Sequence, residues 1–352
     1  MIDFDIYTNE TLDLLKRLIA TPSFSRQESD CAEIMEQTLK SYGLKPHVSG
    51  CNTFVVSEPF DASKKTILLN AHIDTVKPVA SWSRNPFEPI MEGDRLYGLG
   101  SNDCGGGLTA LLQAFRILTA EKGKAKYNFV YLASCEEEVS GSEGIEKVLP
   151  LLPEIDFAIV GEPTGMQPAI AEKGLMVLDI TARGKSGHAA RSEGVNAIYE
   201  MLDDLMWIRN YQFDKVSSLL GPTLMQVTQL EAGTQHNVVP DVCRAVVDIR
   251  TNELYTNEEV FDLVKKHCRG NVSARSFRLK PSHIDPEHPL VARCKAMGMK
   301  PYGSPTLSDQ ALMPFPSLKL GPGESSRSHS ADEFIRVSEI ADAIRKYVNL
   351  LS

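Results

Sequence analysis

Thr66-Ile67-Leu68-Leu69 leads into His72-Ile73-Asp74-Thr75-Val76, and after an irregular interval comes Gly98-Leu99-Gly100-Ser101-Asn102-Asp103-Cys104-Gly105-Gly106-Gly107. The short apolar run reads as a strand buried on both faces of a sheet. Open α/β sheets place ligands at the carboxyl ends of their strands. His72 at such an end and Asp103 before a glycine-rich helix start can therefore serve one metal site. His72 and Asp74, two apart on an extended segment, point the same way. The Asp74 carboxylate is expected to accept the second ring N–H of His72, the usual support of a metal-ligating histidine. The helical pattern over 108–118 puts a helix N-terminus just after Asp103, which favours an anion there.

Two more apolar runs end in the same way. Residues 129–132 run on to Cys135-Glu136-Glu137-Glu138, and 157–160 run into Gly161-Glu162-Pro163-Thr164. A glutamate run is ordinarily a solvated face, but behind a buried strand it crowds like charges that a dication relieves. With His329 near the C-terminus, the candidate ligands are His72, Asp103, Glu138, Glu162 and His329. Imidazoles mixed with carboxylates suit zinc or cobalt better than a thiolate site would. The set is large enough for two metals about 3.5–4 Å apart sharing one carboxylate. Asp103, midway in the chain and before a glycine loop, is the natural bridge, and Glu137 is then free to act as a base.

The chain has 352 residues, 42% hydrophobic and 24% charged, with a formal net charge of −9. That is enough for two cores, and the negative balance argues against a nucleic-acid or anionic-membrane partner. No apolar run approaches the roughly 20 residues that span a bilayer. The acidic start MIDFDIYTNE lacks a signal peptide's features, and seven cysteines without a CxxC pair suit a reducing cytoplasm. Cys104 and Cys135 read as small buried fillers.

Leu12, Leu15, Leu18 and Ile19 recur at helical spacing. Ser25 with Glu28 reads as a capping box opening a second helix, which Gly43 closes. From Leu175 the texture changes. Residues 175–183, 223–230 and 243–250 alternate, 196–207 is helical, Thr256 with Glu259 caps another helix, and 271–279 ends the series. This β-α-β-β-α-β order is the ferredoxin-like split pattern. The expected architecture is α/β, with a catalytic domain of residues 1–174 and 283–352 and an inserted α+β domain of 175–282. Alternating strands imply a sheet edge that needs covering.

The segments HIDTV, GLGSNDCGGG, CEEEV, GEPT and SHSADE, in this order and spacing, resemble the co-catalytic zinc amidohydrolases and peptidases. That family includes acetylornithine deacetylase, succinyl-diaminopimelate desuccinylase, aminoacylase and glutamate carboxypeptidase. The short chain, GEPT and LGPG are most similar to the first of these. The resemblance implies a zinc-peptidase-like catalytic domain with a ferredoxin-like dimerisation and lid insert, and so a homodimer through that insert. It further implies that His72 and Glu162 hold one Zn2+, Glu138 and His329 the other, and that Asp103 bridges, with Co2+ a possible substitute. Glu137 is implied as general base and Asp74 as the support of His72. In GKSGHAARSEGVNAI, His188 is implied to reach an active site. Asn237 and Arg250 are implied to contact the substrate carboxylate, joined by backbone N–H groups up to Gly323.

This sequence departs from the family at Leu99, where Arg is common, and at Cys104-Gly105-Gly106, where Met-Lys-Gly is common. The segment after His188 also lacks the usual proline. The expected activity is zinc-dependent hydrolysis of an Nα-acyl amino acid, N-acetylornithine or N-succinylornithine, in arginine biosynthesis. Alternatives are an acyl-diaminopimelate, acyl-lysine or acyl-citrulline deacylase, a dipeptidase, or a metal-binding scaffold without turnover. Arg327 is a candidate for a second substrate carboxylate. The Gly105-Gly106-Gly107 loop lacks the Lys-Ser/Thr of a phosphate cradle, which disfavours a nucleotide.

Overall fold

In a computed structural model of the chain, residues 2–121, 123–191 and 193–352 are described. They form two compact units, Met1–Ile170 with Ile284–Tyr302 and Ser308–Ser352, and Ala171–His283 with Gly303–Leu307. Residues 303–307 were expected in the catalytic domain and cluster with the inserted one. Gly303 runs so close to Leu219 that a Cβ would lie 2.3 Å from its carbonyl oxygen.

The first unit is built on strand Thr66–His72. It pairs in parallel with Asn128–Ser134 on one side and Phe157–Val160 on the other. Every residue of these three strands is buried, which is why their sequences lack alternation. Asn52–Val56 adds an antiparallel strand outside Asn128–Ser134, and Ser317–Lys319 continues the sheet in parallel beyond Phe157–Val160. On one face Leu68, Val130, Leu132 and Ala158 pack with Phe54, Ile145 and Val148. Helices Phe4–Ile19, Gly106–Thr119 and Val337–Leu351 pack on one another and bury Leu15, Leu111 and Ile344. Among the described residues no helix is long and apolar enough to cross a membrane.

Register decides where the strands stop. His72 lies opposite Ser134, and Val160 lies opposite both Asn70 and Lys319. The loops after His72, Ser134, Val160 and Lys319 therefore begin side by side at one edge. Helix Gly106–Thr119 is drawn against that edge, where a Cβ on Gly107 would lie 1.6 Å from the Gly161 carbonyl oxygen. Only glycine permits that approach, which brings the Asp103 segment beside Glu162.

The second unit carries a four-stranded antiparallel sheet in the order Leu224–Ala232, Val242–Arg250, Met176–Arg183, Asn271–Ala274, with helices Ala197–Asn210 and Asn257–His267. Met176–Arg183 and Val242–Arg250 alternate in burial, and one face packs Leu178, Ile180, Val247 and Ile249 against Met201, Val260 and Val264. The Thr256 side chain accepts from Glu259 N at 3.1 Å, and the Glu259 carboxylate accepts from Thr256 N at 2.9 Å, completing the expected capping box.

The capping box expected at Ser25 and Glu28 does not form. Helix Ser29–Ser41 starts without a side-chain cap, and both residues are engaged elsewhere. Ser25 Oγ donates to Asp74 Oδ2 at 2.7 Å, while Glu28 Oε1 accepts from Arg26 N at 2.8 Å and Glu136 N at 3.1 Å. Local spacing matched the motif, but tertiary partners took both side chains. Gly43 does close this helix, at φ 74°.

Gly107→Ala is expected to destabilise the protein by at least about 1–3 kcal/mol, because the overlap with Gly161 is relieved only by moving a helix. Equilibrium denaturation checks this; unchanged stability would contradict the close approach.

Candidate metal centre

His72 ends the central strand with its ring buried. Its Nδ1 lies 2.8 Å from the Asp74 main-chain carbonyl oxygen, and because a carbonyl only accepts, Nδ1 carries the hydrogen. The Asp74 carboxylate is 3.6 Å from Nδ1, so the expected carboxylate support of His72 is corrected to a main-chain one. Nε2 faces Asp103 Oδ1 at 3.4 Å, Glu162 Oε1 at 3.4 Å and Glu137 Oε2 at 3.9 Å. A neutral imidazole would point a lone pair at three carboxylates, an arrangement that calls for a cation or a proton between them.

The Asp74 carboxylate has another task. It accepts from Glu137 N at 3.0 Å and Glu138 N at 3.1 Å as well as from Ser25 Oγ. The tight turn Glu137–Val139 lies between Glu136 at φ 55° and Ser140 at φ 44°, so its backbone turns sharply straight after the buried strand. Asp74 takes up the N–H groups that this turn leaves without ladder partners.

Asp103 sits in the irregular turn Ser101–Gly105 ahead of helix Gly106–Thr119. Glu333 binds the backbone of this turn, accepting from Gly100 N at 3.2 Å, Asn102 N at 2.8 Å and Asp103 N at 2.9 Å. Cys104 Sγ accepts from His72 N at 3.2 Å and donates to His72 O at 3.5 Å. Burial pushes this thiol well above its ordinary pKa. It stays a protonated filler that pins the turn to the strand end.

Asp103 shows one oxygen to each imidazole, with Oδ1 3.4 Å from His72 Nε2 and Oδ2 3.5 Å from His329 Nε2. His329 Nε2 is also 3.0 Å from Glu138 Oε2. Glu162 Oε1 is buried and has no hydrogen-bond partner. The ligand atoms of His72, Asp103 and Glu138 lie within 4.8 Å of one another. An orphaned carboxylate oxygen, paired imidazoles and a shared aspartate make a donor set that fits divalent metal.

The remaining expected residues are placed as follows. His188 and Asn237 come together on the second unit, where His188 pairs with Val238 across a short ladder and Ala189 N donates to Asn237 O at 3.1 Å. Both side chains are exposed, and His188 Nδ1 accepts from Ala190 N at 3.2 Å. Arg250 ends strand Val242–Arg250 with Nε and Nη2 bound to Asp248 at 2.8 and 3.0 Å. Gly323 is buried at φ 83°, its carbonyl accepting from Gly165 N at 2.6 Å. Arg327 is not available for a second substrate carboxylate, since Glu339 binds its fork at 2.8 and 2.9 Å.

Sequence reasoning missed Glu28, Asp309 and Glu333. Asp309 is buried and accepts from Ser134 Oγ at 2.7 Å. Its irregular surroundings offer no strand to announce it. Glu333 lies within the SHSADE segment, four residues after His329, and that proximity was the one available signal.

Charge crowding shows in the pKa values. Burial, then the neighbouring Glu162 charge, holds Glu137 well above the carboxylate range. Burial and Asp103 raise Glu162, burial takes Asp309 up to about 7, and burial with the Asp103 charge takes Glu333 up to about 8. The hydrogen bond that His329 gives to the Glu138 carboxylate raises His329 to about 9. For His72, burial opposes protonation, but Cys104 and the Asp103 and Glu162 carboxylates outweigh it and the pKa rises. Burial would raise Asp103, yet the His72 hydrogen bond and charge win and lower it.

All the raised groups bind more protons folded than unfolded between about pH 4.5 and 9, so metal-free stability must fall as pH rises through that window. Asp103 has the opposite sign but acts only in strong acid, and His288, which burial lowers, also has the opposite sign, one group against the six raised at the site. Metal needs the deprotonated ligands, so saturating Zn2+ should reverse the trend. Thermal midpoints with and without Zn2+ from pH 5 to 9 check this; parallel curves would contradict it.

The sequence profile of peptidase family M20/M25/M40 matches residues 68–352. An acetylornithine deacetylase of Pectobacterium carotovorum subsp. carotovorum (strain PC1) is 28% identical over 358 residues, covering 92% of each chain. A succinyl-diaminopimelate desuccinylase of Buchnera aphidicola subsp. Cinara cedri (strain Cc) is 29% identical over 278 residues, covering 74% of this chain and 73% of that one. Among solved structures, the M20 family metallo-carboxypeptidase Sso-CP2 from Sulfolobus solfataricus superposes with a TM-score of 0.75 at 21% identity, covering 97% of this chain and 98% of that one. The YXEP protein of Bacillus subtilis, described as a dinuclear metal binding peptidase, gives 0.77 at 15% identity, covering 99% and 98%. The chain belongs to peptidase family M20/M25/M40 and is a metal-dependent hydrolase acting on amide bonds.

Proposed function

We propose that the protein removes the acyl group from an Nα-acyl amino acid, with N-acetylornithine the leading substrate and arginine biosynthesis its setting. The single observation that carries this reading is Asp103 between two imidazoles, one oxygen toward each, with Glu137 Oε2 3.9 Å from the first of them. His72 and Glu162 would hold one Zn2+ and Glu138 and His329 the other, with Asp103 shared. When bound, such a pair supplies Lewis acidity, polarising the scissile carbonyl and making water acidic enough to ionise near pH 7.

The chain's own residues do the rest. Glu137 is buried, and its raised pKa suits it to take the proton of the attacking water and pass it to the leaving amine. Asp74 positions that base through the Glu137 and Glu138 N–H groups. His188 receives a backbone N–H on Nδ1, so its neutral ring carries hydrogen on Nε2, a donor for the carbonyl oxygen as it gains charge. Asn237 and the Nη1 of Arg250 are assigned to the substrate carboxylate, with Gly323 N–H as a further donor. Acetyl is favoured over succinyl because Arg327 is spent on Glu339. The relatives' names support both acyl classes.

The second unit supports a homodimer. Its edge strand Leu224–Ala232 exposes Leu224, Val227 and Leu230, and the adjoining helix Ala197–Asn210 exposes Tyr199, Leu202 and Met206. An unpaired edge flanked by apolar side chains is a surface that needs a cover. Leu230→Glu with Leu202→Glu should halve the mass seen by light scattering; a native monomer would refute this.

Two measurements test the activity. The zinc-loaded protein should release amine from N-acetylornithine faster than from the N-succinyl, citrulline, lysine or diaminopimelate analogues. Glu137→Gln should lower kcat by at least about 10²–10⁴ while keeping its metal. Metal loss in that variant would instead make Glu137 a ligand.

A further inference from the structure

The loop carrying Asp103 and the segment carrying His329 are stitched together on both sides of His329. Upstream, the Asn102 side chain donates to Glu324 O at 3.1 Å and Ser328 Oγ at 3.2 Å, while its Oδ1 accepts from Glu324 N at 3.0 Å. Downstream, Glu333 takes the N–H groups of Gly100, Asn102 and Asp103, and its own carbonyl accepts from Gly98 N at 3.0 Å. His329 lies between these stitches at φ 56°, a strained conformation for a residue with a side chain, and half its side chain is exposed. Its ring, hydrogen-bonded to the Glu138 carboxylate at 3.1 Å, sits 3.5 Å from Asp103 Oδ2.

Glu333 is a costly way to fasten a loop. The residue is 2% exposed, and its carboxylate is close enough to Asp103 to feel its charge. Its two oxygens take three converging N–H groups, whereas a glutamine has one acceptor oxygen and would turn a donor toward another donor. The arrangement parallels Asp74, which holds the Glu137–Glu138 turn by its N–H groups on the other side of the same centre.

We propose that Glu333, with Asn102, is a positioning residue that sets the separation of Asp103 and His329 before any cation arrives, and so sets the affinity for the second of two metal ions. This rests on the two-cation reading above.

Cobalt titration of metal-free protein, followed by its visible absorption and by metal analysis, tests it. Native protein should take up two equivalents, and Glu333→Gln should bind the weaker one about 10–100-fold less tightly with an altered spectrum, the usual cost of losing a residue that orients ligands. Asn102→Ala cuts the other stitch without touching a buried charge, and the same shift is expected; it decides the matter if Glu333→Gln does not fold. Thermal midpoints of the metal-free variants are measured alongside. A loss of stability equal with and without cobalt, with the weaker affinity unchanged, would mean a purely structural role and overturn the proposal. Native protein binding fewer than two equivalents fails the two-cation reading, and this inference with it. Two equivalents bound with unchanged affinity for the weaker one, in the native chain and in both variants, overturns this inference alone.

Discussion

Repulsion among carboxylates at one sheet edge is the constraint on which this molecule turns. Asp103, Glu137, Glu138 and Glu162 converge on His72 and His329 at distances where their negative charges strongly oppose one another. Water screens such repulsion at a surface, but here burial raises Glu137 and Glu162. Such a cluster is stable only with protons or divalent cations among its oxygens. The unsatisfied Glu162 oxygen marks where protein partners run out.

Holding the cluster open takes more anions. Asp74 and Glu333 are buried carboxylates aimed at backbone N–H groups, each securing a turn that carries a candidate ligand. Glu28 does the same for the first residue of the glutamate run. The turns are short and irregular because each must leave a buried strand and present a charged side chain within a few residues. Their N–H groups have no ladder to join, and a carboxylate is the strongest acceptor available. Loop geometry here is set by charge-assisted hydrogen bonds, and the glycine at 107 lets a helix press the assembly together.

The second unit is governed by ordinary half-buried packing. Alternation along Met176–Arg183 and Val242–Arg250 follows from a sheet with one face on two helices. Its candidate residues sit at the ends of strands: His188 on a short ladder, Asn237 just before the strand that pairs with it, Arg250 at the close of another. The pairing of Arg250 with Asp248 leaves it a preset orientation and fewer free donors than a lone arginine.

The strands of the first unit were legible because full burial on both faces demands uninterrupted apolar runs, and the second unit because half-burial demands alternation. The candidate ligands could be named from the sequence too, since His72 ends such a run and Glu138 and Glu162 come within a few residues of one. Tertiary structure alone decided the partners of the supporting groups. Asp74 supports the glutamate turn with its carboxylate and His72 with its carbonyl; Ser25 and Glu28 match a helix cap in spacing yet serve the site; Arg327 is claimed by Glu339. Periodicity records which face of an element is dry. It carries no record of which distant backbone a buried carboxylate will meet, because that depends on register and on loops folded through space.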